Sequence, residues 1–233
     1  MRMAKQFLTA AWRDLVLLNW RVDAALLQPH VPAGTELDPW AGEHWVSLVG
    51  LRFLDLAVKG VPAIGHRDFP EINLRFYVRR EVGGEVRRGV VFLRELTPRR
   101  IVEWVARAVY NEPYATLSMR ACVDESQTAY ELELNGATQR MAVTPNGGWR
   151  SPEPMEEFFI ERYWGYNRQS DGGTMEYEVT HPKWQVRPVD LAQFNLDVET
   201  LYGSEWAEVL SREPDSVVLA DGSEVAVFSG ELI

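Results

Sequence analysis

With 233 residues, 46% of them apolar and 25% charged, the chain has the size and composition of a globule that can bury a substantial core. A formal charge of −10 leaves no basic footprint for nucleic acid or for an anionic membrane surface. The single cysteine, Cys122, excludes an intrachain disulfide and any cysteine-based zinc site.

No apolar run approaches the ~20 residues of a spanning helix, and no linker, repeat or low-complexity run divides the chain. The reading is one domain over residues 1–233, cytoplasmic, with no cofactor. Trp12 to Val22 reads as a strand with 15–18 at its buried centre. Asp23 then caps a short helix, 24–28, which ends ahead of Pro29 and Pro32. A turn at 38–42 leaves Gly42 free to take positive φ. His44 to Leu54 is the next strand, and the loop 58–70 that follows is long enough to form a rim or lid. His66 lies on it, either a titratable group near neutral pH or an ordinary loop histidine.

From Glu71 onward the residues alternate. Glu71, Asn73, Arg75, Tyr77 and Arg79 fall on one face of a strand, and Ile72, Leu74, Phe76 and Val78 on the other. The apolar face is core. The polar face has two open readings: a solvated surface with a cross-strand ion pair, or the polar wall of a cavity inside a curved sheet. After Gly83-Gly84 comes a strand from Gly89 to Leu96, then Thr97-Pro98 as the N-cap and first position of a helix that Pro113 stops.

Further on, 115–123 and 128–134 read as paired strands, with Cys122 a buried thiol, and 140–144 as another. Residues 155–164 read as a helix with Glu156, Glu157 and Glu161 on its solvated face, and 175–180 as an alternating strand. Residues 190–210 contain a helix interrupted at Gly203. Asp221-Gly222 reads as the two-residue turn of a hairpin over 216–228.

Several segments resemble the DUF2071, or YqjF-like, family: 31–46, Phe69-Pro70-Glu71-Ile72-Asn73-Leu74-Arg75-Phe76-Tyr77-Val78-Arg79, Ala106-Arg107 with Pro113-Tyr114, and Glu161-Arg162-Tyr163 with His181. The resemblance spans most of the chain. It implies an α+β, mostly antiparallel fold: the acetoacetate decarboxylase-like β cone or barrel, with a few peripheral helices around a central cavity. In those decarboxylases an acidic strand residue and a helix arginine precede a Gly-x-Pro-Lys-Lys turn, whose first lysine forms a Schiff base activated by its cationic neighbour. The similarity places Glu71 and Arg107 at the first two positions, but puts Pro113-Tyr114-Ala115 where the lysines would be. The chain's lysines are Lys5, Lys59 and Lys183, all outside that turn. Imine chemistry is therefore not expected.

The histidines show no metal-ligand spacing, and neither a phosphate-binding glycine loop nor a serine nucleophile elbow is present. The candidate constellation is Glu71 and Tyr114 as acid–base groups, with Asn73, Arg75, Arg107 and His181 as ligand contacts. An anionic or acyl ligand, such as a keto acid, would suit the planar fork of arginine. An enolising or lyase-type reaction would need Glu71 with a raised pKa and an oxyanion donor such as Tyr114. Two other readings stay open: a non-catalytic carrier or sensor, as a monomer or homodimer, and a buried ion network of Glu71, Arg75 and Arg107 with no ligand.

Overall fold

A computed structural model describes residues 5–233, with the side chains of Val105, Arg107, Ala108, Val109, Tyr110 and Ala192 outside the described set. Strand β1 (Gln6–Val22) leads into helix α1 (Ala24–Leu27), where the Asp23 side chain accepts from the Ala25 amide. Then come β2 (Glu36–Leu37), β3 (His44–Val58), β4 (Val61–Pro62), β5 (Phe69–Val82) and β6 (Glu85–Thr97). Helix α2 (Arg100–Tyr110) starts three residues after Thr97, which ends β6 and whose hydroxyl lies 3.4 Å from the Arg99 amide. The chain continues through β7 (Tyr114–Thr116), β8 (Met119–Val123), β9 (Thr128–Leu134), β10 (Ala137–Pro145), α3 (Pro154–Ile160), β11 (Trp164–Arg168) and β12 (Thr174–Thr180). It ends with β13 (Val186–Arg187), β14 (Val189–Phe194), α4 (Val198–Tyr202), α5 (Ser204–Leu210), β15 (Ser216–Phe228) and β16 (Glu231–Leu232).

The larger sheet runs β13-β15-β1-β3-β5-β6-β11-β12-β16. Its path returns on itself, because β12 also pairs with β15 at Val179↔Val227 and Thr180↔Ala226. The smaller sheet, β14-β10-β9-β8, packs on the outside. Period-two alternation sorts the side chains between two cores. Val16, Leu18, Leu48, Ile72, Leu74 and Phe76 meet Tyr130, Leu132, Met141 and Val143 of the smaller sheet. On the inner side, Leu15, Leu17, Val49, Leu51 and Phe69 pack with Phe158, Phe159 and Ile160 of α3.

Four expectations need correction. The run 115–123 is broken, because β7 pairs parallel with β6 whereas β8 pairs with β9 in the other sheet. Cys122 lies on β8, the edge strand of that sheet, and is exposed. The helix expected over 155–164 stops at Ile160, since Trp164 begins β11; Glu156 is drawn back to Arg150 and the Glu153 amide instead of facing water. The helix expected within 190–210 is present as α4 and α5, broken at Gly203, and is preceded by β14, which the smaller sheet recruits to β10.

The fourth is the hairpin at Asp221-Gly222. Residues 216–228 are one strand, β15, paired with β1 from Asn19↔Ser216 to Gln6↔Phe228. Pairing along this length, with Val218, Ala220, Val225 and Val227 buried, outweighs the local turn preference of Asp-Gly. Gly222 is needed for another reason. It sits at φ 77°, and a Cβ there would lie 2.1 Å from the Trp12 carbonyl oxygen. Gly222→Ala is expected to cost on the order of 1–3 kcal/mol by overpacking, read as a lower urea midpoint with an unchanged m-value. An unaltered midpoint would show that the two strands can part without penalty.

Candidate functional site

Strand β5 lies between β3 and β6, so its polar face is covered on both sides. Opposite residues of paired strands share a face. Register therefore sets Leu51 beside Glu71, Val49 beside Asn73 and Phe53 beside Phe69. On the other flank the β5–β6 register slips between Leu74 and Arg75: Arg75 pairs with Phe92, but Asn73 pairs with Glu95. Strict alternation from Val90 through Phe92 would bring Arg94 inward; the slip brings Glu95 instead, as bulges re-aim side chains. Parallel pairing of β7 with β6 then puts Tyr114 next to Glu95.

Glu71, Glu95 and Glu112 are all buried here, at 3%, 2% and 9% exposure. Tyr114 donates to Glu71 Oε2 at 2.7 Å, and Asn73 Nδ2 donates to Glu71 Oε1 at 3.0 Å. Glu112 Oε1 accepts from the Tyr177 hydroxyl at 2.6 Å and from Asn167 Nδ2 at 3.1 Å. Gly165 makes room for this arrangement, since a Cβ there would overlap the Tyr177 ring at 2.1 Å. Among the described residues, Glu95 Oε2, Asn73 Oδ1 and Arg75 Nε have no hydrogen-bond partner.

Burial disfavours the charged form of every carboxyl in the group. It raises Glu71 to about 7, assisted by repulsion from Glu112 and opposed by the Tyr114 and Asn73 hydrogen bonds and by Arg75. Glu95 is pushed well above the usual carboxylate range by burial and then by Glu112 and Glu71. Glu112 is also raised by burial, against the bonds from Tyr177 and Asn167. Burial and these carboxylates hold the Tyr114 phenol well above its ordinary value. Among the described residues, no three His, Cys, Asp or Glu side chains converge as a metal site requires.

The group opens on a cavity of about 420 Å3, a volume within the range of small-molecule sites. Its remaining walls are largely apolar: Leu15, Val49, Leu51, Phe53, Leu56, Val90, Phe92, Trp12 and Trp184 among them. Ile64, 86% exposed on the loop after β4, and Ile101, 49% exposed on α2, also line it and mark its mouth. Arg99 ties these elements together through Nη2 and the Asp68 carbonyl, 3.0 Å apart.

The family model of DUF2071, described as an uncharacterized conserved protein, matches residues 9–224. The chain belongs to the DUF2071 family. It is 32% identical over 111 residues to the uncharacterized protein YqjF of Bacillus subtilis (strain 168); this match spans 47% of the chain and 44% of YqjF, less than half of either. The fold is similar to that of acetoacetate decarboxylase from Legionella pneumophila, with TM-score 0.67, 14% identity, and coverage of 100% of this chain and 90% of that one. An acetoacetate decarboxylase-like enzyme from Sphingomonas wittichii RW1 gives TM-score 0.64 and 13% identity, covering 98% and 94%. The enduracididine biosynthesis enzyme MppR, solved with pyruvate, gives 0.65 and 13%, covering 100% and 91%.

The DUF2071 chain thus has the β cone expected of it. Glu71, Asn73, Arg75 and Tyr114 are brought together on one cavity wall. The Arg75 guanidinium turns to the Phe159 carbonyl, 3.0 Å from Nη2, and is not ion-paired to Glu71. Arg107 is on α2, with its side chain outside the described residues. His181 also lines the cavity, stacked on Trp184 with centroids 4.1 Å apart; its Nδ1 lies 2.9 Å from the Pro182 carbonyl oxygen, and burial lowers its pKa. His66 lines the loop side. No lysine lines this cavity, and Lys183 is exposed and paired with Glu157.

Sequence reasoning missed Glu95, Glu112, Asn167, Tyr177 and Arg162. The available signal for Glu95 was a charged pair, Arg94-Glu95, set between the apolar run Val90-Val91-Phe92-Leu93 and Leu96. Glu112, directly ahead of Pro113, gave none, because its partners are 55 and 65 residues away.

Proposed function

We propose that the DUF2071 cavity binds a small keto or acyl compound by its hydrocarbon body, without a covalent imine. The observation that carries this reading is one polar wall, with buried and unpartnered Glu95, Asn73 and Arg75 atoms, in an otherwise apolar cavity. Buried polar atoms cost free energy unless something bonds them. A ligand carbonyl or carboxyl accepts from Arg75 and from carboxyls held neutral. Glu71, with its pKa near neutrality and its carboxyl oriented by Tyr114, exchanges the proton. Likeness to a decarboxylase and to a pyruvate-bound enzyme supports the ligand class.

One observation favours a structural part for Arg75, its bond to the Phe159 carbonyl. A thermal-shift screen separates the two. Against a panel of methyl ketones, β-keto acids and simple carboxylic acids, a ligand at ~100 times its Kd is expected to stabilise the wild type by about 2.7 kcal/mol. Glu71→Gln, which keeps the size of the side chain, is expected to weaken that gain without abolishing it, while remaining folded. If no compound stabilises the wild type, the cavity reading fails. If Glu71→Gln binds as well as wild type, Glu71 has no part in it.

A further inference from the structure

The two carboxyls nearest Tyr114 differ in a way that points to a division of labour. Glu71 has both oxygens fixed, one by the Tyr114 hydroxyl and one by Asn73 Nδ2. Each bond is donated to the carboxylate, so both favour its ionised form. Glu95 lies one strand away, directly across from Asn73 and beside Tyr114, with Oε2 buried and unpartnered. Tyr114 cannot be the donor to a ligand oxygen while its single proton is committed to Glu71. Glu95 is the group left with a free position toward the cavity.

We propose that this site enolises a ketone, with Glu71 as the base at the α-carbon and Glu95, not Tyr114, as the acid at the carbonyl oxygen. This rests on the keto-compound reading above. The Glu71 carboxylate takes the α-proton, and the C–H electron pair becomes the C=C bond. The carbonyl π pair moves onto oxygen, which takes the proton of the Glu95 carboxyl. The products are the enol, a protonated Glu71 and an ionised Glu95, with no change of oxidation state. Reversal after Glu71 has exchanged its proton with solvent returns the ketone, carrying one solvent hydrogen. A carboxylic acid kept neutral by an apolar site, beside a separate carboxylate base, is a known solution to this chemistry. The direction of both shifts agrees: burial raises Glu71 to about 7 and pushes Glu95 well above the usual carboxylate range, which favours its protonated form.

The probe is 2-hexanone in D2O, with loss of the α-proton signals followed by NMR and binding followed in parallel by the protein's melting temperature. The wild type is expected to exchange the α-protons faster than buffer alone. Glu71→Gln and Glu95→Gln are each expected to lower that rate by ~100-fold or more, while still binding the probe and melting cooperatively. Tyr114→Phe, which keeps both carboxyls, is expected to move the rising limb of the pH–rate profile to higher pH. Binding without exchange above buffer overturns the enolisation and leaves the cavity reading standing. Wild-type exchange in Glu95→Gln overturns the assignment of Glu95. Failure of 2-hexanone and of every other ketone to bind overturns both.

Discussion

Raising the pH from about 5 to about 8 is expected to destabilise the protein by several kcal/mol, a direction opposite to that of an ordinary carboxylate-paired fold. The reason is the buried carboxyl group. Glu71 moves from 4.5 in the unfolded chain to about 7 when folded. The native state therefore binds more protons than the unfolded state between these values. Its contribution is fully present below 4.5 and is lost as the pH rises through about 7. That difference corresponds to about 3 kcal/mol for Glu71. Glu95 and Glu112 are raised in the same direction by the same cause, so they add to the slope. Urea midpoints across this range measure it. Glu71→Gln is expected to flatten the slope in part and to be more stable than wild type at about pH 8. Stability that stays level or rises over this window would show that the carboxyls are ionised and paired in the folded protein.

Asp38→Ala is expected to be the most damaging single substitution outside the cavity wall. Asp38 is 1% exposed and Arg162 3% exposed, and Arg162 Nη1 reaches Asp38 Oδ2 at 2.5 Å. The guanidinium is also held by the Phe158 carbonyl, 2.6 Å from Nε, and lies over the Phe158 and Tyr77 rings at 4.1 and 4.8 Å. Burial already disfavours its charge, and Asp38 is the group that opposes this. Removing Asp38 leaves a buried cation without its carboxylate, which costs about 3–5 kcal/mol. The double variant Asp38→Asn with Arg162→Met removes both charges and is expected to recover most of that loss. Equilibrium unfolding of both proteins decides it. A double variant no better than Asp38→Ala would mean that the packing of the guanidinium, not its charge, holds α3 to the cone.

These residues also show where reading the sequence succeeded. The alternation from Glu71 to Tyr77 predicts a strand with one apolar and one polar face, and β5 is that strand. The resemblance to DUF2071 implies the cone, and the family match and the structural neighbours agree. Asp23 as a cap, Gly42 at positive φ and the break at Gly203 depend on neighbours within a few residues, and each stands where expected. Turn chemistry misled at Asp221-Gly222, because twelve registered pairs with β1 lie beyond any local window.

Local order thus decided the strands, the caps and the polar stripe of β5, since period, capping and backbone freedom act over a few residues. Whether that stripe met water or a cavity was decided by closure of the sheet, which needs β12 to find β15. The choice of Glu95 over Arg94 for the inner face came from a one-residue slip against β5. Such a slip follows from pairing between strands and leaves no mark on the composition of either. The same closure gathered Glu71, Glu95 and Glu112 from three separate segments into a place where water could not keep them charged.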